Sequence, residues 1–232
     1  MSKIVGIIGG MGPLSTIELL RKIYDLTPVE KEQQHLRILV DNRPQIPDRT
    51  EYILGKGTSP LPQLQESARL LEKWGADFIA IACNTAHLFY QDISRSIKIP
   101  VLHMIALLAS YLDNNIPEGS LLGLLTTTGA LRTGLYHKFL ERYQVVIPSE
   151  TIQEKFVMEA IYGKDGVKKT KVNSENISLI RHALEFLQKR DPILIISGCT
   201  EVALIVQELN FNMRILDPMD ILAREIVTRA NS

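Results

Sequence analysis

Cysteine is scarce in this chain: there are two in 232 residues, Cys83 and Cys199. The start, Met1-Ser2-Lys3-Ile4, already reads as a first strand with no export signal ahead of it. Two thiols in such a chain read as reduced side chains of a cytoplasmic protein, not as a disulfide framework. An excess of charge of either sign is also lacking, with 26 Lys and Arg against 26 Asp and Glu. That balance argues against nucleic acid as a partner and leaves no acidic tail. No apolar run is long enough to span a bilayer, so no membrane partner is expected. The cysteine and histidine spacings fit no zinc pattern, and no metal is expected.

What is present is an alternation of apolar strand-like runs with amphipathic helices, in a chain that is 45% hydrophobic. The length fits one large or two small domains, and the alternation predicts an α/β fold with mainly parallel sheets flanked by helices. Strands are predicted near 3–8, 37–40, 77–82, 100–102, 121–125, 145–147, 193–196 and 214–216. Helices are predicted over 14–24, 63–74, 85–96, 105–112, 131–142, 174–189 and 219–229. Continuous runs such as Ile79-Ala80-Ile81-Ala82 suit strands covered on both faces. Two irregular stretches, Asp41–Thr50 and Gly163–Thr170, stand where loops reach the carboxyl ends of parallel strands.

The chain also repeats itself. Ile4-Val5-Gly6-Ile7-Ile8 matches Leu121-Leu122-Gly123-Leu124-Leu125 at an offset of 117 positions, and Cys83 lies 116 before Cys199. Ile99–His103 matches Met213–Asp217 at an offset of 114. Common order and near-constant spacing indicate a duplicated unit. Asp113-Asn114-Asn115-Ile116-Pro117 interrupts the pattern between the halves.

Each cysteine ends an apolar run and precedes a predicted helix, in Ala82-Cys83-Asn84-Thr85 and Gly198-Cys199-Thr200-Glu201. Helix starts favour thiolate. Two thiols in matching contexts suit a reaction that needs a base and an acid on opposite faces of one carbon. Removing the α-proton of an amino acid without a cofactor is such a reaction. His87 lies four residues after Cys83, one helical turn away, which suits a capping or structural role better than a Cys-His nucleophile pair.

These two cysteine motifs, with Gly9-Gly10-Met11-Gly12-Pro13 and Asp48-Arg49-Thr50, resemble the aspartate/glutamate racemase family over essentially the whole length. The resemblance implies a cofactor-independent racemase of two pseudo-symmetric α/β domains, residues 1–103 plus 213–232 and residues 104–212, with the active site in the interdomain cleft. It implies a C-terminal helix that completes the first domain, and a homodimer. It makes Cys83 and Cys199 the two acid/base residues, Cys83 serving the D-enantiomer and Cys199 the L-enantiomer. Met11, Asn84, Thr85, Thr126, Thr127 and Thr200 become substrate contacts. Arg49 would grip the distal carboxylate, with Lys168 as the loop lysine and Lys164 or Lys169 as its alternatives. Dedicated glutamate racemases carry a histidine where this chain has Glu201, and an Asp-Ser turn where it has Gly9-Gly10-Met11. Both departures point to the aspartate racemase branch without excluding glutamate. Glu201 is a candidate partner of Cys199, and its carboxylate would raise the pKa of that thiol.

Three other readings use the same residues. Gly10-Met11-Gly12-Pro13 partly mimics a phosphate loop, but the full Gly-x-Gly-x-x-Gly pattern is missing and Pro13 removes a donor. A cysteine-dependent isomerase of another small dicarboxylate would use one thiol as a nucleophile. A non-catalytic amino-acid binding protein would have little need of both thiols.

Overall fold

The computed structural model describes residues 2–232. The chain forms two compact units, one made of the segments up to Leu108 and from Met219 onward, the other of Ala109–Pro218.

The first unit is built on β1 (Val5–Gly9), β2 (Ile38–Asn42) and β3 (Phe78–Ile81), all parallel in the order β2-β1-β3. A parallel bridge from Ile79 to Val101 marks a fourth position at the β3 edge. Its helices are α1 (Pro13–Leu26), α2 (Arg49–Ile53), α3 (Leu61–Lys73), α4 (Tyr90–Ser94), reached through a 3₁₀ turn at Thr85–Phe89, and α5 (Met104–Asn115), which runs on past Leu108. The second unit holds β4 (Leu121–Leu125), β5 (Gln144–Val146), β6 (Leu194–Ser197) and β7 (Ile215–Leu216), parallel in the order β5-β4-β6-β7. Its helices are α6 (Thr128–Arg132), α7 (Glu150–Ile152), a π-helical turn Gln153–Met158 continuing into α8 (Glu159–Tyr162), α9 (Ser174–Gln188) and α10 (Thr200–Gln207). The last helix, α11 (Pro218–Ala230), belongs to the first unit apart from its opening proline.

The repeat read from the sequence is thus a repeat of strand order, with β4, β5 and β6 standing where β1, β2 and β3 stand in the first sheet. Its register is shared as well. Gly6 pairs with Ile79, and Gly123 pairs with Ile195. A Cβ on Gly6 would lie 3.3 Å from Ile79 Cγ1, and one on Gly123 would lie 2.9 Å from Ile195 Cγ1. Each glycine makes room for the isoleucine of the neighbouring strand.

Both faces of the first sheet are covered, which is why its strands read as continuous apolar runs. Val5, Ile7, Phe78 and Ala80 pack with Leu19 and Ile23 of α1 and with Leu222 and Ile226 of α11. Ile8, Ile79 and Ile81 pack on the other face with Leu64, Ala68 and Leu71 of α3. Lys3 N–H donates to the Ala230 carbonyl at 2.8 Å, and Lys22 pairs with Asp220, so both ends of α11 are tied into this unit. The second core gathers Ile180, Leu184 and Leu187 of α9 against Ile195, Leu125 and Val202.

Several segments depart from the sequence reading. The strand Ile215–Leu216 pairs with β6, which places 213–217 in the second unit, while 104–108 falls in the first. Pairing with Ile195 and Ile196 satisfies an edge of β6 that would otherwise stay unpaired. The helix expected over 131–142 stops at Arg132, because Gly134 takes a φ of +62° and the chain goes on in turns. The irregular stretch 41–50 is shorter than expected: Asp41 and Asn42 complete β2, and Arg49 opens α2 with the Asp48 carboxylate accepting from Thr50 and Glu51 N–H.

The turn after β1 depends on its glycines. Gly10 has a φ of +87°, its N–H donates to Thr16 Oγ1 at 2.9 Å, and a Cβ there would lie 2.4 Å from the Arg43 carbonyl carbon. Gly119 has a similar φ of +77° with open space around it. The Gly119→Ala variant is expected to lose about 1 kcal/mol from backbone strain alone, and Gly10→Ala about 3 kcal/mol or more, since it adds an overlap with backbone. Chemical denaturation of the two variants side by side checks the difference.

Candidate active site

In the first unit the expected site residues gather at the carboxyl ends of β1 and β3, where ligands of open parallel sheets bind. Met11 follows β1 by two residues and Cys83 follows β3 by two; both are buried and share one apolar cluster with Ile46, Ala86 and Phe89. Asn84 and Thr85 are buried beside the thiol.

The helix expected over 85–96 is tightened by His87. In a regular α-helix the Cys83 carbonyl would accept from the His87 N–H. That carbonyl instead takes the His87 side chain, with Nδ1 at 2.8 Å, while the His87 N–H goes to the Asn84 carbonyl at 3.1 Å. The imidazole Nε2 accepts from Met104 N–H at 3.1 Å, which assigns the Nδ1–H tautomer. His87 is therefore a neutral buried strut beneath the Cys83 turn, and not a general base. Burial, with His103 alongside at 4.9 Å between rings, pushes its pKa down to about 3.

Arg49 is buried at 5% exposure, so it is not an ordinary solvated loop cation. Its Nη1 donates to the Pro47 and Ile46 carbonyls at 3.1 and 3.3 Å, and its Nη2 to the Met11 carbonyl at 3.4 Å. The guanidinium thus joins the turn after β1 to the loop before α2.

In the second unit the corresponding residues lie at the carboxyl ends of β4 and β6. Thr126 donates to the Gly198 carbonyl at 2.6 Å, and the Tyr136 hydroxyl donates to the same oxygen at 3.1 Å. Gln153 Nε2 donates to the Thr126 carbonyl at 2.9 Å. Thr127 caps α6 by accepting from Ala130 N–H at 3.2 Å. Cys199 is the extended N-cap of α10, with Thr200 as its first helical residue. Tyr136 and Gln153 escaped the sequence reading. Tyr136 lies inside the misread helix, and nothing in the pattern marks 153–158 as a π-helical turn, a feature common at functional sites.

At Cys199, burial and the Glu201 carboxylate, the latter expected to raise the thiol pKa, outweigh the helix start. The Cys199 Sγ–H donates to Glu201 Oε2 at 3.1 Å, and Thr200 Oγ1 donates to the same oxygen at 3.1 Å. Burial pushes the Cys199 pKa well up, the Glu201 charge and its hydrogen bond add to this, and the Lys168 charge and the Val202 N–H work against it. Of the loop lysines, Lys168 is half-buried with its ammonium 4.6 Å over the Tyr162 ring. Lys169 donates to the Tyr162 and Gly163 carbonyls, and Lys164 is exposed. Among the described residues, no three His, Cys, Asp or Glu side chains cluster as a metal site, and no helix is long and apolar enough to cross a membrane.

The chain as a whole matches a known group of enzymes. Residues 8–226 fit the family model for Asp/Glu/hydantoin racemases. The chain belongs to this family. The solved structure of Picrophilus torridus aspartate racemase superposes with a TM-score of 0.86, at 32% identity over 99% of this chain and 94% of that one. An aspartate racemase homologue from Pyrococcus horikoshii OT3 shares the fold, with a TM-score of 0.73 at 24% identity over the whole of both chains. The broad specificity amino-acid racemase RacX of Bacillus subtilis (strain 168) is 25% identical over 97% of this chain and 96% of its own. The family makes the chain an amino-acid racemase, an isomerase of the aspartate/glutamate group.

The His87 strut has a pH signature. Its folded pKa of about 3 lies below the unfolded value, so the folded state resists taking up a proton. This contribution to stability is complete above about pH 6.5 and drains away as pH falls toward the folded pKa. Urea unfolding at pH 7, 5.5 and 4.5 should show a fall for the wild type. His87→Gln should be less stable at pH 7 and should fall less steeply.

Proposed function

We propose that this racemase interconverts L- and D-aspartate by a two-base mechanism at Cys83 and Cys199, without pyridoxal phosphate. The observation that carries the proposal is the equivalence of the two thiols: each follows the strand that pairs with the central glycine strand of its sheet, β3 beside Gly6 and β6 beside Gly123.

One thiolate takes the α-proton, forming an S–H bond as the C–H bond breaks and leaving the electron pair on carbon. The other thiol then delivers its proton to the opposite face, breaking its S–H bond as the new C–H bond forms. The enantiomers have equal free energy, so each sulfur must serve as base in one direction and acid in the other. This requires both thiols to reach one α-carbon.

Asn84, Thr85 and Thr200, with Thr126, Thr127 and Met11, are the proposed contacts for the α-carboxylate and ammonium. Arg49 is proposed to take the distal carboxylate. Its bonds to carbonyls are long, at 3.1 to 3.4 Å, and a carboxylate offers a stronger, bidentate partner for a buried guanidinium. Lys168 is the proposed loop cation, since its charge is felt at Cys199. The likeness to an aspartate racemase at 32% identity and the Glu201 departure support aspartate over glutamate. A homodimer in the cytoplasm completes the proposal. The likeness to RacX supports a second reading, a broader amino-acid substrate range on the same two thiols.

Reduced protein incubated with L-aspartate in D2O should lose the α-proton signal by NMR and yield D-aspartate by chiral chromatography, with no cofactor added. Absence of exchange with aspartate, glutamate and a panel of other amino acids would overturn the racemase mechanism. Exchange with neutral amino acids at comparable rates would favour the broader range. Cys83→Ala and Cys199→Ala should each lower racemisation by about 100-fold or more, as expected for loss of a proton-transfer group. Arg49→Ala should raise KM for aspartate about 10- to 100-fold, with the smaller effect on kcat.

A further inference from the structure

The two repeats differ at one position that bears directly on the thiols. At the offset of 116 that relates Cys83 to Cys199, Thr85 corresponds to Glu201. A neutral hydroxyl residue follows one cysteine by two positions, and a carboxylate follows the other. Glu201 is buried at 4% exposure and Cys199 at 3%, so water does little to screen the pair. The carboxylate oxygen Oε2 accepts from both the Cys199 thiol and the Thr200 hydroxyl, each at 3.1 Å. A proton on the sulfur makes this a hydrogen bond. Without that proton, two negative charges would face each other at the same distance in a dry setting.

Resting on the two-thiol reading above, we propose that Glu201 is a positioning residue that keeps the resting proton on Cys199, making Cys199 the acid and Cys83 the base when substrate arrives. The hydrogen bond holds the thiol proton toward Glu201, and the carboxylate discourages its loss to water in the free protein. Among the described residues, the charged and titratable groups around Cys199 include Glu201 on its own helix, Lys168 from the loop before α9, and Tyr136, whose hydroxyl bonds the Gly198 carbonyl. Lys168 opposes Glu201. Burial of the thiol acts in the same direction as Glu201.

The chain has only two cysteines, so labelling cysteine with 13C at Cβ gives two NMR signals, assigned with Cys83→Ser. Titration of the reduced full-length protein from pH 6 to 10.5 reads each thiol without substrate. The Cys199 signal of the wild type is expected to inflect above the free-thiol value of about 8.5. In Glu201→Gln, which keeps the shape and an acceptor but loses the charge, the inflection should move down by at least one pH unit. In Glu201→Asp it should stay raised. A wild-type Cys199 inflection at or below about 8.5 would overturn the proposal whatever the variants do, and would instead indicate that Glu201 draws the proton off. An unmoved inflection in a Glu201→Gln protein that melts like wild type would also overturn it. Should Glu201→Gln not fold, Glu201→Thr, which carries the residue type of the first repeat, replaces it with the same expected fall and the same overturning result. Failure of the two-base reading would appear separately, as absence of deuterium exchange.

Discussion

The close packing of a glycine against an isoleucine on the neighbouring strand is the constraint on which each half of this protein depends. Gly6 pairs with Ile79 and Gly123 with Ile195 in the two central strand pairs, and a Cβ at either glycine would crowd that isoleucine, with Ala76 closer still at Gly6. Since the strands are parallel, fixing the register also fixes how far each strand-end turn projects. Gly10 and Met11 leave β1, and Cys83 leaves β3, at heights set by that pairing. Thr126 leaves β4 and Cys199 leaves β6 under the same rule. Strand pairing therefore sets where the candidate site residues leave each sheet, and polar side chains fix the turns beyond.

Beyond the strands the two repeats use different means to hold their thiols. At Cys83 a neutral imidazole lies beneath the turn and takes the carbonyl that a regular helix would have used. At Cys199 the support comes from the opposite side of the turn, where Thr126 and Tyr136 both donate to the Gly198 carbonyl. The residue that corresponds to His87 in the second repeat is Ala203, which leaves the Cys199 carbonyl to the helix, where it accepts from Ala203 N–H at 3.0 Å. One cysteine thus precedes a 3₁₀ turn and the other caps a true helix. A duplicated scaffold has kept its register while its local electrostatics have diverged.

This division also separates what was legible in the sequence from what was not. The strands were legible because burial on both faces leaves uninterrupted apolar runs, and the repeat was legible because Gly6, Cys83 and their counterparts keep their spacing. The long helices α1, α3, α9 and α11 follow from periodicity. Short segments governed by one side chain were not legible. Nothing in the pattern shows that Gly134 ends a helix early, that His87 tightens another, or that 215–216 joins β6 instead of the first sheet. The residue types at the candidate site were readable, but their environments were not. At Cys199 the helix start suggested a thiolate and Glu201 a raised pKa; burial, which the pattern does not show, adds to the carboxylate at 3.1 Å in favouring the thiol. Helix propensity acts locally, but desolvation depends on residues far along the chain, here the apolar cluster that Cys199 shares with Leu125, Val157 and Val167.

A racemase places an unusual demand on such asymmetry. Its two products have the same free energy, so kcat/KM must be equal in the two directions at every pH. A carboxylate beside only one thiol cannot favour one enantiomer at equilibrium or in that ratio. What it can change is the protonation state in which the free protein waits, and hence how kcat and KM divide in each direction. A lone proton shared between two identical thiols would leave the protein in two equally populated forms, each ready for one enantiomer only. Biasing the proton toward Cys199 gathers the population into one form, at the cost of an extra proton rearrangement when the other enantiomer binds. Glu201 is costly to bury, and a neutral residue there would pack with less penalty. On the proposed two-thiol reading, its burial beside the Cys199 sulfur, where the first repeat has Thr85, is the means of setting that bias.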